Sequence, residues 1–288
     1  MNHPKVVITG ASSGIGLATA KVLTAAGFDV FAGVRKQSDG VEVAAACAGA
    51  PGALIPVIMD VTDRQSVASA RDTVEKALNG ELLAGLVNNA GIGLGGPLLH
   101  QPLDEFARVM EVNVIGVMAV TQAFAPLVGA KPDARGKPGR IVNISSVGGL
   151  IAAPFLGAYA ASKHAIEALS DSLRRELQLY GVDVIVIGPG AVKTLIWDKA
   201  EQQDFGYLAG TDYEAPSKRF LDYFIKSGRE GLPPEEIGKL ILQVLTIPRP
   251  KARYAILRDA FANWTIPRLL PKRVVDRTIG RRLGLLKN

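Results

Sequence analysis

The stretch Lys5–Ala26 reads KVVITGASSGIGLATAKVLTAA. Its first five residues form a short β-branched apolar run, and from Leu17 to Ala26 apolar residues return at helical spacing. Between the two lies Gly10-Ala11-Ser12-Ser13-Gly14-Ile15-Gly16. A strand that turns through glycines into a helix lets backbone approach an anion closely. The helix start then faces that anion with unpaired N–H groups and the positive end of its dipole. Any tight strand-to-helix turn can use glycine, so the flanking strand and helix carry the reading. It assigns Gly10, Ser12, Ser13, Gly14, Ile15 and Gly16 to a dinucleotide pyrophosphate.

The same alternation continues outward. Asp29–Val34, Leu54–Met59, Leu82–Val87, Arg140–Ser145, Val182–Ile187 and Arg253–Leu257 read as further strands. Helical patterns separate them, among them Asp63–Leu78 with Asp63 as cap and a long helix from a cap at Asp104 to about Val128. Strands alternating with helices predict an α/β fold, a doubly wound, mostly parallel Rossmann-type sheet with helices on both faces. Residues 1–258 are expected to form one dinucleotide-binding and catalytic domain, with a substrate loop over 195–232, and residues 259–288 a basic amphipathic extension. The second strand ends at Val34, where a fold that prefers NAD carries a carboxylate for the ribose 2′-hydroxyl. Arg35 and Lys36 follow instead. Guanidinium forks a phosphate through paired charge-assisted bonds, so either NADP(H) is favoured over NAD(H) or this is a solvated basic turn.

The chemistry is expected in Ser146–Lys163, SVGGLIAAPFLGAYAASK. Tyr159 and Lys163 stand four apart on a helical pattern through Ala165, Leu169 and Leu173, so they share one face. A phenol titrates at about 10, and a fixed ammonium beside it favours the phenolate. The pair is therefore expected to act as a general acid–base near neutrality. Ser146 follows a strand at the sheet edge where α/β proteins keep their sites, and its hydroxyl can hold a substrate oxygen. Asn113, between Val112 and Val114, needs a water or a backbone partner if buried. Taken singly, a Tyr and Lys at this spacing are more often a solvated helix face, and Ser-Ser after a strand a turn.

The chain has 288 residues, 48% of them hydrophobic, enough for one sizeable core. One cysteine, Cys47, excludes a disulfide framework and a Cys-based metal site, and no pair among His3, His100 and His164 has metal-ligand spacing. No metal is expected. The start MNHPKVVITG lacks a signal-peptide leader, and no apolar run approaches the ~18 residues of a membrane span, so the expectation is a cytoplasmic protein. Net charge is +6, and residues 261–288 hold seven Lys/Arg against one Asp. The remainder is balanced, which argues against a nucleic-acid partner.

In order and spacing, Thr9-Gly10-xxx-Gly14-x-Gly16, Asn88-Asn89-Ala90-Gly91, Asn113, Ser146, Tyr159-xxx-Lys163 and Pro189-Gly190 through Thr194 resemble the short-chain dehydrogenase/reductase family, compact single-domain branch, over residues 5 to about 258. The resemblance implies a catalytic tetrad. Tyr159 would be the acid/base, and Ser146 would orient the carbonyl or alcohol. Lys163 would bind the nicotinamide ribose and lower the tyrosine pKa, and Asn113 would hold a relay water. Asp60 and Val61 would meet the adenine, Asn89 the ribose side, and Val192 and Thr194, after Pro189 and Gly190, the nicotinamide carboxamide. Ala90 and Gly91 leave room for a flat ligand.

The implied activity is NADP(H)-dependent interconversion of a ketone or aldehyde and its alcohol. SVGGL with a later Pro-Phe is similar to hydroxysteroid and retinol dehydrogenases. A lipophilic pocket is expected from Leu94, Pro97 and Leu98, from Leu150, Ile151 and Phe155 beside Ser146 and Tyr159, and from Leu195, Ile196 and Trp197. The alternatives are a β-ketoacyl thioester reductase and a non-catalytic NADP-binding regulatory protein. A homodimer or homotetramer is expected. In the tail, Val275, Ile279, Leu283 and Leu286 recur at helical steps among basic residues. That stripe is expected to pack on the same or a partner subunit near the pocket entrance, with peripheral membrane contact as the alternative.

Overall fold

The computed structural model describes residues 3–194, 196–202, 205–260 and 264–287. The chain runs β1 (Lys5–Thr9), α1 (Gly14–Ala25), β2 (Asp29–Val34), α2 (Gln37–Ala46), β3 (Leu54–Ile58), α3 (Arg64–Leu78), β4 (Gly85–Asn88), α4 (Leu103–Met110) and α5 (Gly116–Phe124). It continues through β5 (Arg140–Ile144), α6 (Gly157–Glu176), β6 (Asp183–Pro189), α7 (Ile196–Glu201), α8 (Glu214–Arg229), α9 (Pro234–Thr246), β7 (Arg253–Ile256), α10 (Ile266–Leu269) and α11 (Lys272–Leu283). The sheet order is β3-β2-β1-β4-β5-β6-β7 and every pair is parallel. After β3 the chain crosses back to β4 on the other side of β1. That reversal opens a crevice beyond the carboxyl ends of β1 and β4.

Alternation along the strands divides the core into two layers. Val6 and Ile8 of β1 face Leu23 of α1 and Ile237 and Ile241 of α9. Val7 faces the other way, with Val67 and Val74 of α3 and Val120 and Phe124 of α5. The α1 and α9 helices lie close because Gly238 has no side chain; a Cβ there would stand 3.1 Å from Thr19 Cα.

Local signals explain where elements start. Asp63 caps α3 as expected, its carboxylate accepting from Gln65 N at 2.8 Å. The expected cap at Asp104 is displaced: α4 begins after Pro102, and Asp104 lies in the first turn, where its charge still faces the positive helix end. β4 starts at Gly85 and not at Leu82, because the Leu83 N–H bonds to Leu127 O outside the sheet. Between α4 and α5 the helix opens into a π turn, Glu111–Ile115, and it ends in a 3-10 turn, Ala125–Val128. By length and composition alone the run Leu103–Val128 could cross a bilayer, but Val120, Phe124, Leu127 and Val128 pack in the core beside α3, as the core helix of a folded domain does.

Candidate active site

The glycine turn sits at the crevice. Gly10 and Gly14 have φ of +64° and +55°, a region costly for any side chain. A Cβ on Gly10 would also stand 2.9 Å from Ala90 Cα, so the turn after β1 touches the loop after β4. Asn89 ties the two together: its Nδ2 donates to Thr9 O at 2.9 Å and Gly10 O at 3.0 Å. Thr9 Oγ1 accepts in return from Asn89 N and Ala90 N, both at 3.0 Å. Below them, Asn88 Nδ2 donates to Asn143 Oδ1 and Thr121 Oγ1, and Asn143 Nδ2 donates to Ser170 Oγ. This buried amide ladder links β4, β5, α5 and α6.

Ser13 at the start of α1 makes no side-chain capping bond, which leaves the first N–H groups of that helix open. Ser12, Ser13, Gly14 and Thr194 line a cavity of about 520 Å³ there. These donors fit a pyrophosphate. Arg35 and Lys36 are exposed just past the end of β2. Asp60, at the neighbouring strand end, is held below the usual carboxylate range by the Thr62 N–H, with the Thr62 hydroxyl and the Arg35 charge adding to it. Val61 is 8% exposed and packs on Gly116, which has no side chain to keep it away.

The four residues of the expected tetrad converge from three elements, the π turn, the 3-10 turn after β5 and α6. Ser146 Oγ accepts from Gly148 N at 3.0 Å, which fixes it at the head of a 3-10 turn, Val147–Gly149. Tyr159 and Lys163 lie one turn apart near the start of α6, with Lys163 Nζ 5.7 Å from the Tyr159 ring centroid. Lys163 Nζ donates to Ile144 O at 2.9 Å. Asn113 is fully buried in the π turn. Its Oδ1 accepts from Ile92 N, and its Nδ2 donates to Ile92 O and to Ser162 Oγ. The backbone partner required by the sequence is thus Ile92, and neither Ile92 nor Ser162 was anticipated.

Electrostatics differ from expectation at one point. Burial pushes the Tyr159 phenol above the usual tyrosine range, and the Ser146 hydroxyl draws it only partly back. Burial also brings Lys163 down to about 8, against the pull of Glu167. Desolvation dominates here, so Tyr159 is a protonated phenol at neutral pH and not the phenolate that the Tyr–Lys spacing suggested. Glu167 in turn holds Arg253, with Nε and Nη2 contacts of 2.9 and 3.0 Å. Arg253 Nη2 also reaches Ser146 O at 3.4 Å.

Ser146 and Tyr159 face a cavity of about 620 Å³, which Phe155, Trp197, Val192 and Thr194 also line. Val192 and Thr194, expected on the cofactor side, and Phe155 and Trp197, expected on the substrate side, therefore share one space. Leu94, Leu98 and Leu150 do not line it; Leu98 is 62% and Leu150 37% exposed. Leu195 lies outside the described residues. Trp197 Nε1 donates to Val192 O, and its ring meets Phe224 edge-on at 4.9 Å. Phe155 has a left-handed φ of +63° and tilts against Phe220 at 5.5 Å. The roof is completed by Phe220, Tyr223 and Phe224 of α8. Their three- and four-residue steps are a helix-face signal that the sequence reading left unused.

Residues 4–204 match the model of the family described as short chain dehydrogenase. The NADPH-dependent 3-dehydrocapnine reductase of Ornithobacterium rhinotracheale is 36% identical over 271 residues, 94% of each chain. Human 17-beta-hydroxysteroid dehydrogenase type 1 is 38% identical over 264 residues, 88% of this chain and 77% of that one. Among solved structures, a short chain dehydrogenase/reductase from Burkholderia phymatum in complex with NAD aligns with a TM-score of 0.75 at 28% identity, over 96% of this chain and 95% of that one.

Proposed function

This chain belongs to the short chain dehydrogenase family, oxidoreductases acting between CH–OH and C=O, and on that premise we propose that it uses NADP(H) to reduce a lipophilic ketone or aldehyde to its alcohol. One observation carries the reading: Tyr159 and Ser146 face a largely apolar cavity that the cofactor-side residues Val192 and Thr194 also line. When bound, the nicotinamide supplies the hydride. Tyr159 Oη delivers the proton to the carbonyl oxygen, and the phenol, held above its usual range by burial, carries that proton at neutral pH. Ser146, held by Gly148 N, orients the same oxygen. Lys163 sets a cation close to Gly91, where a ribose would lie; its Nζ is 3.7 Å from a Cβ built on that glycine. Asn113 acts on position, holding the Ile92 backbone beside Gly91.

Support for NADP(H) comes from Arg35 and Lys36 at the end of β2, and from the cofactor in the name of the Ornithobacterium relative. The Burkholderia neighbour holds NAD, so the test must compare both. NADPH and NADH oxidation are measured against lipophilic ketones and aldehydes and against short oxoacids. Turnover with NADPH and bulky ketones is expected to be highest, and a preference for short oxoacids overturns the substrate class. Arg35→Ala should weaken NADPH binding by about 1.5–3 kcal/mol and leave NADH nearly untouched. Equal losses for the two would make Arg35 structural.

A further inference from the structure

Of the helical stripe expected of the tail, Leu283 is buried and Ile279 partly buried against Phe155 and Phe220, with Leu285 beside them; Val275 is half-buried and Leu286 is 45% exposed. A second apolar set on the same segment faces outward. Ile266 is 38%, Leu269 78%, Leu270 42% and Val274 46% exposed. They cluster where α10 turns into α11, a corner bent by Pro267 and Pro271. Arg268, Lys272, Arg273 and Arg277 stand among them, all exposed. Trp264 leads into the corner with its ring beneath two guanidinium groups, Arg253 at 4.6 Å and Arg268 at 4.7 Å.

We propose that this corner docks on an anionic lipid surface, with α10 and the first turns of α11 lying in the interface. Charge selects the partner. Residues 261–288 hold seven Lys/Arg and one acid, Asp276, matching the net +6 of the whole chain. A second copy of the chain would set these cations against each other. Nucleic acid would meet the cations and leave Leu269 and Leu270 in water. A headgroup layer over acyl chains satisfies both sets at once, because basic side chains stay with the phosphates while the leucines enter the apolar boundary.

The position adds a consequence. α11 leans on α8 through Arg219 Nε, which donates to Leu283 O at 2.9 Å, and through Arg282, 4.0 Å above the Tyr223 ring. Tyr223 lines the cavity. α11 therefore joins the docked corner to the cavity roof, so lipid contact would bear on the entry of a lipophilic substrate. That last step rests on the proposed function; the docking itself does not.

The test is flotation of the full-length protein with phosphatidylcholine vesicles, with and without phosphatidylglycerol, at low and high salt. The thermal unfolding midpoint serves as the check on folding. The protein is expected to float with the anionic vesicles alone and to be released at high salt. Arg273→Gln and Arg277→Gln should each lower partitioning about fivefold. The pair Leu269→Asp and Leu270→Asp should abolish it while the unfolding midpoint is unchanged. Absence of flotation, equal flotation with neutral vesicles, or flotation retained by the Leu269/Leu270 variant each overturns the proposal. A sedimentation shift showing that the variant breaks an oligomer assigns the corner to self-association, and tighter binding to an acidic carrier protein or a DNA duplex than to vesicles assigns it to those partners; either result overturns docking on lipid.

Discussion

The floor of the cavity and its roof face the same space but are held by different forces. The floor, Ser146 and Tyr159, rests on backbone and buried polar side chains that do not line the cavity, with Asn89, Asn113, Asn143 and Lys163 each bonded to named partners. Removing one partner there strands a buried donor or acceptor, at about 1–3 kcal/mol each. The roof is rings and aliphatic chains: Phe220 stacks on Phe224 at 5.2 Å, Phe155 tilts on Phe220, and Leu283 closes the cluster from the tail. Apolar contacts tolerate exchange of shape at similar volume. On the proposed function, the floor would fix which reaction occurs, while the roof would be free to set what is admitted to it.

Substitutions should separate the two. The largest effect is expected for Tyr159→Phe, which removes the transferable proton and leaves the floor's other bonds intact. Turnover should fall roughly 10²–10⁴-fold with NADPH affinity unchanged. Near-normal turnover in single-turnover assays would mean that the proton comes from elsewhere.

The next tests the floor's buried cation. Lys163 titrates at about 8 in the folded protein against 10.5 ordinarily. Between those values the unfolded chain holds the extra proton, so stability of the cofactor-free protein rises with pH across the window. Above pH 10 the raised phenol of Tyr159 acts in the opposite sense, since there the folded chain holds the proton. Denaturation midpoints from pH 8 to 10 should climb by roughly 2–3 kcal/mol in the wild type, and Lys163→Met should flatten that slope. A slope unchanged in the variant would place the titration on another group.

The smallest effect belongs to the roof. Leu283→Ala, at a 5% exposed position, should cost about 2 kcal/mol of stability. It should raise KM for bulky ketones with NADPH affinity unaltered. Loss of NADPH affinity in the same variant would show that roof and floor are one unit.

The same division explains what could be read from the chain. Gly10, Asn89, Ser146, Tyr159 and Lys163 were legible because left-handed turns, strand-end amides and a one-turn spacing each demand a particular residue type. Tyr223 and Phe224 were not singled out as lining residues, because any helix that buries one face shows that pattern and nothing in it says what lies beneath. The phenolate expected from Tyr159 and Lys163 failed for a different reason. Spacing reports proximity but not desolvation, and burial here outweighs the neighbouring charge. The cap was placed at Asp104 because residue type alone does not reveal that Pro102 has already turned the chain.

The π turn at Glu111–Ile115 has a bearing on chain length. A π turn holds one residue more than α geometry uses for the same rise. Upstream of it the helix meets the loop before α4; downstream, Thr121 must face Asn88 and Phe124 must enter the core. Deleting one residue within Glu111–Ile115 would let the helix relax to regular winding over the same rise, so Thr121 and Phe124 would keep their places. What would go is the wide turn that presents Asn113 to Ile92. The extra residue thus belongs to the site and not to the core, and a one-residue gap there should cost activity more than stability.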